Sequence, residues 1–131
     1  MLSKHEIYAM LPVQDMKRAR KFYAEKLGLT PKSEMPQGLL YQSMDACFLL
    51  FTSSGASTAQ FTQAGWTTDN LEAEVVDLKG KGVVFEEYNL PNLKTVNGIA
   101  TTGGNRAAWF KDSEGNLLGL VQDSDLNRSL Q

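Results

Sequence analysis

Residues 11–29, LPVQDMKRARKFYAEKLGL, contain the end of a strand, a helix cap, a helix and a stop signal. The apolar residues recur at steps of three and four, which places them on one face of an α-helix. They are Met16, Ala19, Tyr23 and Leu27. Asp15 precedes the helix, where its carboxylate can accept hydrogen bonds from the free backbone N–H groups of the first turn. Gly28 follows at the position that favours a left-handed residue. The stretch therefore predicts an amphipathic helix lying on a sheet.

The composition is that of an ordinary globular chain, and it excludes several classes of protein. Of 131 residues, 42% are hydrophobic and 21% are charged, and the formal net charge is −2. This size predicts one domain, and the acidic balance argues against a nucleic-acid partner. The sequence has no apolar run long enough for a membrane span and no secretory signal pattern at residues 1–10. The lone Cys47 excludes an internal disulfide and is compatible with a reducing compartment, so we expect a cytoplasmic protein. Because no membrane span is predicted, we expect no membrane partner.

The residues around the helix predict the strands of a first module. Residues 7–13 alternate between apolar and mixed side chains, so we expect a strand whose odd-numbered residues face the helix. Residues 39–44 and 46–52 predict a hairpin that turns at Met44 and Asp45. Small residues over 53–57 then form the only change in composition that resembles a boundary.

The second half repeats this plan. Asn70 is placed to cap a helix whose apolar stripe consists of Leu71, Val75 and Leu78. Strands are predicted over residues 59–68, 83–88, 106–111 and 117–122. Residues 112–116, DSEGN, have the composition of a hairpin turn, and a polar tail begins at Asp123. Each half thus has one helix to cover one face of its sheet. The other face must curl on itself, meet another chain or hold a ligand.

Three motifs, in this order, resemble those of the vicinal oxygen chelate superfamily, which includes glyoxalases, bleomycin resistance proteins and extradiol dioxygenases. They are LPVQD at 11–15 leading into FY at 22–23 and LGL at 27–29, TDNL at 68–71, and AAWFKDSEGNLLGL at 107–120. The resemblance implies an α+β fold in which two βαβββ modules form a curled mixed sheet, or cup, with helices on its outer face. One domain over residues 1–131 would consist of modules at about 5–53 and 58–122 and a tail at 123–131. The resemblance also implies a homodimer.

The superfamily's enzymes usually hold a divalent metal in this cup. Carried over one by one, the ligand positions of the family fall on Tyr8, Leu50, Gln63 and Gly119. Of these, only Gln63 is a plausible ligand, because leucine and glycine offer no donor and neutral tyrosine binds hard divalent ions poorly. His5 is expected on the other face of the strand from Tyr8. We therefore predict no metal cofactor, and a divalent metal at an atypical site is the alternative.

Strand alternation predicts which groups face the cup and bind a ligand. They are Tyr8, Met10, Phe48, Leu50, Gln63, Thr67, Trp109, Lys111 and Gly119. This set is apolar and aromatic with a few hydrogen-bonding points, as small-molecule sites usually are, and Gly119 would leave room for a ligand. Alternatively, these side chains fill the cup as core. Cys47 has the opposite parity, so we expect it to pack beneath the helices as a small hydrophobe.

The long segment over residues 89–105 offers a second clue to function. It contains Pro91 and three glycines and is predicted to be irregular. Ordered loops of this length are usually functional or disordered. We expect it to fold over the cup as a lid or rim, and the alternative is a connection without a role in binding.

Three interpretations of function follow. The favoured one is a metal-free small-molecule-binding protein that binds or sequesters a partly aromatic metabolite or antibiotic. The second is a metal-dependent enzyme of glyoxalase or dioxygenase type. The third is a structural or partner-binding module whose cup is filled by its own side chains or by another chain.

Overall fold

The computed structural model describes residues 1–58 and 60–123. A short 3₁₀ helix, Leu2–Lys4, precedes two modules that each begin with a strand and a helix. The first module consists of β1 Ala9–Val13, α1 Met16–Leu27, β2 Ser33–Met35, β3 Gly38–Ser43 and β4 Ala46–Thr52. The second consists of β5 Ala64–Thr67, α2 Leu71–Gly80, β6 Asn89–Leu90, β7 Leu93–Val96, β8 Ile99–Thr102, β9 Asn105–Lys111 and β10 Leu117–Gln122.

The strands form two mixed sheets, one in each module. The first has the order β1-β4-β3-β2 and the second the order β5-β10-β9-β8-β7-β6. The pairs β1–β4 and β5–β10 are parallel, and the other neighbours are antiparallel. Each helix covers one side of its own sheet, and we call the opposite side the open face. The predicted α+β class is confirmed. Of the helices in the described part of the chain, none is long and apolar enough to cross a membrane.

Both helices begin where the sequence predicts, and α1 also ends there. The Asp15 side chain accepts a hydrogen bond from the backbone N–H of Arg18 at 3.0 Å, and Gly28 closes α1 with φ of 70°. Asn70 caps α2 in the same way, through the backbone N–H of Ala73 at 3.1 Å. The apolar stripes of the helices, together with the helix-facing side chains of both sheets, form one hydrophobic core.

The first strand begins later than predicted. Leu11 and Val13 are buried against α1 as expected, but Ile7 is 95% exposed and lies before the start of β1 at Ala9. The apolar alternation of the sequence continues back to Ile7, but the ladder between β1 and β4 begins only at the pair Ala9–Phe48, although β4 itself begins at Ala46. The hairpin of β3 and β4 is confirmed, and Met44 adopts a φ of 53° at its turn.

The prediction of which β4 residues face the helix is wrong. Phe48 lies 5.9 Å from the Tyr23 ring of α1, and Leu50 is fully buried in the same core. Neither therefore faces the cup, and the intervening positions Cys47 and Leu49 lie on the open face. The strand is apolar on both sides, so alternation alone could not orient it. Its pairing with β1 does, because Leu50 is the neighbour of Leu11.

The second sheet also departs from the prediction. Residues 83–88 form a single bridge, from Phe85 to Phe110, rather than a strand. Residues 89–105 are not an irregular loop, because β6, β7 and β8 occupy most of that segment and extend the sheet. The strand predicted over 59–68 is shorter and begins at Ala64. Residue 59, and residues 124–131 of the tail predicted over 123–131, lie outside the described residues.

The loop over residues 112–116 is a buried junction between the modules as well as a hairpin turn. Asp112 accepts hydrogen bonds from the Tyr23 hydroxyl of α1 at 2.7 Å and from the Asn116 amide at 2.8 Å. The Asn116 amide also donates to the backbone oxygen of Pro12 at 3.0 Å. Asp112, Glu114 and Asn116 are 6%, 3% and 0% exposed. Because these polar groups are buried and satisfied, the loop fixes β1 and α1 against the second sheet.

Glu114 is held over the beginning of α1. Its carboxylate accepts hydrogen bonds from the backbone N–H groups of Gln14 and Asp15, both at 3.0 Å. The Arg18 guanidinium donates to the same carboxylate at 2.7 and 2.9 Å. This anion therefore satisfies N–H groups at the positive end of the helix, which stabilises the ionised form.

The environment of Glu114 predicts that the protein becomes less stable in acid. The Arg18 hydrogen bond, assisted by the N–H of Asp15 and the Ser113 hydroxyl, lowers the pKa of Glu114 from 4.5 to about 2 against the opposing effect of burial. The unfolded chain therefore takes up a proton at a higher pH than the folded one. We expect the free energy of unfolding to fall by about 3 kcal/mol between about pH 5 and pH 2 from this group.

Urea denaturation across that range measures the effect. The Glu114→Gln variant lacks the titrating group and should show a shallower dependence on pH. Identical slopes for the variant and the parent protein would contradict the assignment.

Candidate ligand-binding site

The open face of the second sheet carries three of the side chains that the sequence predicts for the cup. On β9, Ala108 and Phe110 are buried in the core. Because side chains alternate along a strand, Trp109 and Lys111 lie on the open face. On β5, Ala64 and Trp66 pack against the core, so Thr67 has the open-face parity and is exposed. The structure thus brings Thr67, Trp109 and Lys111 to one side of one sheet.

Trp109 and Gly119 form the centre of this face. They are paired neighbours on β9 and β10. A Cβ atom at Gly119 would lie 3.5 Å from both Cδ1 and Nε1 of the Trp109 indole and 3.3 Å from Thr62 Cγ2. The room that the sequence predicts at Gly119 is therefore largely taken by the indole, which lies against the glycine. Gly119 sets the position of Trp109 and does not open an empty space.

Tyr88 extends the aromatic surface. Its ring meets the Trp109 ring edge-to-face, with centroids 5.6 Å apart and an interplanar angle of 81°. The Thr95 hydroxyl accepts a hydrogen bond from the Tyr88 backbone N–H at 2.8 Å, which fixes the segment. Partial burial, followed by the nearby Glu86, raises the pKa of the Tyr88 hydroxyl, and Lys111 opposes this. The hydroxyl is therefore a neutral donor and acceptor near neutral pH.

An ion pair borders the aromatic surface. Lys111 Nζ lies 3.3 Å from a Glu86 carboxylate oxygen, with the two side chains 52% and 31% exposed. Such a partly exposed pair contributes little to stability. It does offer a polar ligand both a cation and an anion beside the rings. The predicted site residues do not include Tyr88 and Glu86. The sequence alone does not show which of residues 83–88 lie on the same face as Trp109.

One predicted residue of the first module, Met10 on β1, lies on the open face, and Tyr8 directly precedes that strand. Tyr8 and Met10 are each 51% exposed. Met10 is paired with Leu49 on β4, so the open face of the first sheet is apolar. Phe48 and Leu50 cannot contribute to it, since both lie beneath α1 in the core.

Gln63 is occupied by contacts within the protein. Its side-chain oxygen accepts hydrogen bonds from the Ser57 hydroxyl at 2.5 Å and the Leu117 backbone N–H at 3.2 Å. Its amide nitrogen donates to Asn116 Oδ1 at 3.0 Å. Gln63 therefore connects β5 to the 112–116 loop and has few groups left for a ligand.

The positions that hold a metal in the superfamily's enzymes do not fit a metal in this chain. Leu50 is buried on the wrong side of its sheet, and its neighbours Leu49 and Phe51 also lack donor atoms. Gly119 has no side chain, and the Gln63 amide is already hydrogen-bonded. Within residues 1–58 and 60–123, no three His, Cys, Asp or Glu side chains come together in a group that could hold a metal ion. The donor chemistry of these positions therefore does not fit a divalent metal.

The structure contains two βαβββ-like modules with one helix each, and the open face of the second sheet is aromatic. This arrangement defines an α+β protein that is built from two similar modules. The chain has the fold of the vicinal oxygen chelate superfamily, as its motifs predict. Residues 7–41 match the family described as bleomycin resistance protein-like N-terminal. No curated protein sequence matches the chain.

Solved structures with this fold span nearly the whole chain. The bleomycin resistance determinant encoded on transposon Tn5 has a TM-score of 0.68 at 21% identity, over 91% of this chain and 98% of that one. A glyoxalase/bleomycin resistance protein/dioxygenase from Alicyclobacillus acidocaldarius has a TM-score of 0.69 at 16% identity, over 93% of this chain and 95% of that one. The fosfomycin resistance protein FosX from Listeria monocytogenes has a TM-score of 0.67 at 11% identity, over 91% of this chain and 93% of that one. At these identities the similarity establishes the fold.

Proposed function

We propose that this protein binds a small, partly aromatic metabolite or antibiotic without a metal ion. The ligand would lie on the open face of the second sheet, against the Trp109 indole. The observation that carries the proposal is the placement of that indole over Gly119, edge-on to Tyr88 and beside the Lys111–Glu86 pair. Aromatic side chains with a few polar groups beside them are the residue types that usually line small-molecule sites.

Two further arguments support this function. Of the positions that hold a metal in the metal-dependent enzymes, Leu50 and Gly119 offer no side-chain donor and Gln63 is already hydrogen-bonded within the protein, which favours binding over metal-assisted catalysis. Solved structures of the same fold include proteins named for resistance to bleomycin and to fosfomycin. These names indicate what such a fold can accommodate, and the proposal extends that capacity to this chain.

The proposal includes a homodimer in the cytoplasm. Met10 on the open face of the first sheet and Tyr8, which directly precedes β1, are half exposed, and a second copy would cover them. Light scattering coupled to size-exclusion chromatography should then give twice the mass of one chain. The lone cysteine, Cys47, is compatible with a reducing compartment.

The two tryptophans provide the test of the site. Trp66 lies on the helix side, 6.2 Å from the Phe48 ring, whereas Trp109 lies on the open face. Each single variant, Trp66→Phe or Trp109→Phe, therefore carries one reporter. Thermal-shift screening of aromatic metabolites and antibiotics, bleomycin included, in the presence of EDTA identifies a ligand. We expect that ligand to quench Trp109 saturably in Trp66→Phe, because the ligand stacks on this ring.

The Trp109→Ala variant should bind the ligand about tenfold more weakly by calorimetry, since it loses the stacking surface. Trp66→Phe is the matched control and should bind as the parent protein does. A ligand that quenches Trp66 alone would place the site elsewhere. Binding that appears only after Ni²⁺, Zn²⁺, Fe²⁺ or Mn²⁺ is added would overturn the metal-free function and favour the enzyme.

A further inference from the structure

The segment over residues 89–105 forms one wall of a groove that lies on the other side of the second sheet. Helix α2 forms the opposite wall, and the volume between them is about 580 Å³. Lys79 Nζ on α2 donates to the backbone oxygen of Asn97 at 3.0 Å, which joins the two walls at one end. Val76 on α2 and Val96 on β7 are 70% and 73% exposed.

The charges around this groove are predominantly positive. Lys79, Lys94 and Arg106 line it together with one carboxylate, Glu72. Arg106 is paired with Glu72 at 2.7 Å. Lys94 makes no salt bridge or side-chain hydrogen bond within the described part of the chain. The groove is thus cationic in a protein whose net charge is −2.

We propose that this groove is a second binding site, for a small amphipathic carboxylate. The anionic head would contact Lys94 and compete with Glu72 for Arg106, and the apolar body would cover Val76 and Val96. Charge complementarity selects the anionic head, and the exposed valines select the apolar body. The volume lies within the range of small-molecule sites. The site is independent of the one proposed at Trp109, which lies on the opposite side of the sheet.

Sodium octanoate, kept below its micelle concentration, is a suitable probe. We expect a ¹H–¹⁵N NMR titration of the full chain to shift the backbone amide signals of Val76, Val96 and Gly98, while that of Trp109 stays in place. The spectrum also reports whether each variant is folded.

Two variants should change the affinity in opposite directions. Lys94→Glu reverses the unpaired cation and should weaken octanoate binding about tenfold. Glu72→Gln removes the competing anion and should strengthen it about threefold. Lys17→Glu, a charge reversal on the exposed side of α1, is the matched control and should leave the affinity unchanged.

The same titration can overturn the proposal. Equal binding of octylammonium and octanoate would show that the groove does not select an anion. An unchanged affinity in both Lys94→Glu and Glu72→Gln would show the same. Shifts centred on Trp109 would assign octanoate to the other site, and a spectrum that does not change would show that the groove binds no such molecule.

Discussion

The Asp112→Ala variant is expected to lose about 4 kcal/mol of its free energy of unfolding. Four buried donors converge on this carboxylate: the Tyr23 hydroxyl, the Asn116 side-chain amide, and the backbone N–H groups of Glu114 and Asn116. Their distances to the Asp112 oxygens run from 2.7 to 2.9 Å. Each buried donor left without an acceptor costs about 1–3 kcal/mol, less what water recovers. The loss therefore exceeds that of most single substitutions.

Urea denaturation followed by circular dichroism measures this loss. Tyr23→Phe removes one of the four donors and should cost only about 1–2 kcal/mol. Asp45→Ala, in the exposed turn of the first module's hairpin, is the matched control and should change stability by less than about 0.5 kcal/mol. If Asp112→Ala unfolded at the same urea concentration as Asp45→Ala, the loop would not join the modules as described.

The loop that holds Asp112 shows why sequence patterns reveal only part of this site. Asp, Ser, Gly and Asn in a row are typical of turns, and the turn is where they predict it. Their burial depends on α1 lying across them, and Tyr23 is 89 residues away from Asp112 in sequence. A local pattern carries no information about that contact. The hydrogen bonds of Gln63 are hidden from a local pattern for the same reason, because its partners Asn116 and Leu117 are distant in sequence.

Local sequence patterns are sufficient to predict the ends of a helix, and to orient a strand whose two sides differ in polarity or size. The caps at Asp15 and Asn70 rest on hydrogen bonds within three residues, so the helix starts were predictable. On β9, Ala108 and Phe110 alternate with Trp109 and Lys111, and the placement of Trp109 on the open face followed. On β4 both sides are apolar, and only the pairing with β1 decides which residues face the helix.

The Gly38→Ala variant is expected to lose on the order of 4 kcal/mol or more of its free energy of unfolding. Losses of this size are typical of a clash with the backbone in a packed core. A Cβ atom at Gly38 would lie 1.9 Å from the backbone oxygen of Leu50 and 2.9 Å from its carbonyl carbon. No side-chain rotation relieves such a contact, because both atoms belong to the central strand β4. Either β3 moves away at this end, or the pairing of Gly38 with Phe51 is lost.

The comparison with a second glycine isolates this steric effect. Gly104→Ala adds the same methyl group at a position with no atom within 4 Å of the new Cβ, so it should leave stability within about 0.5 kcal/mol of the parent protein. Thermal and urea unfolding of both variants measure the difference. A Gly38→Ala protein as stable as Gly104→Ala would show that β3 and β4 do not approach so closely. The pairing of β3 with β4 helps to fix the register of Leu50. Without that close pairing, there would be less evidence that Leu50 faces the helix.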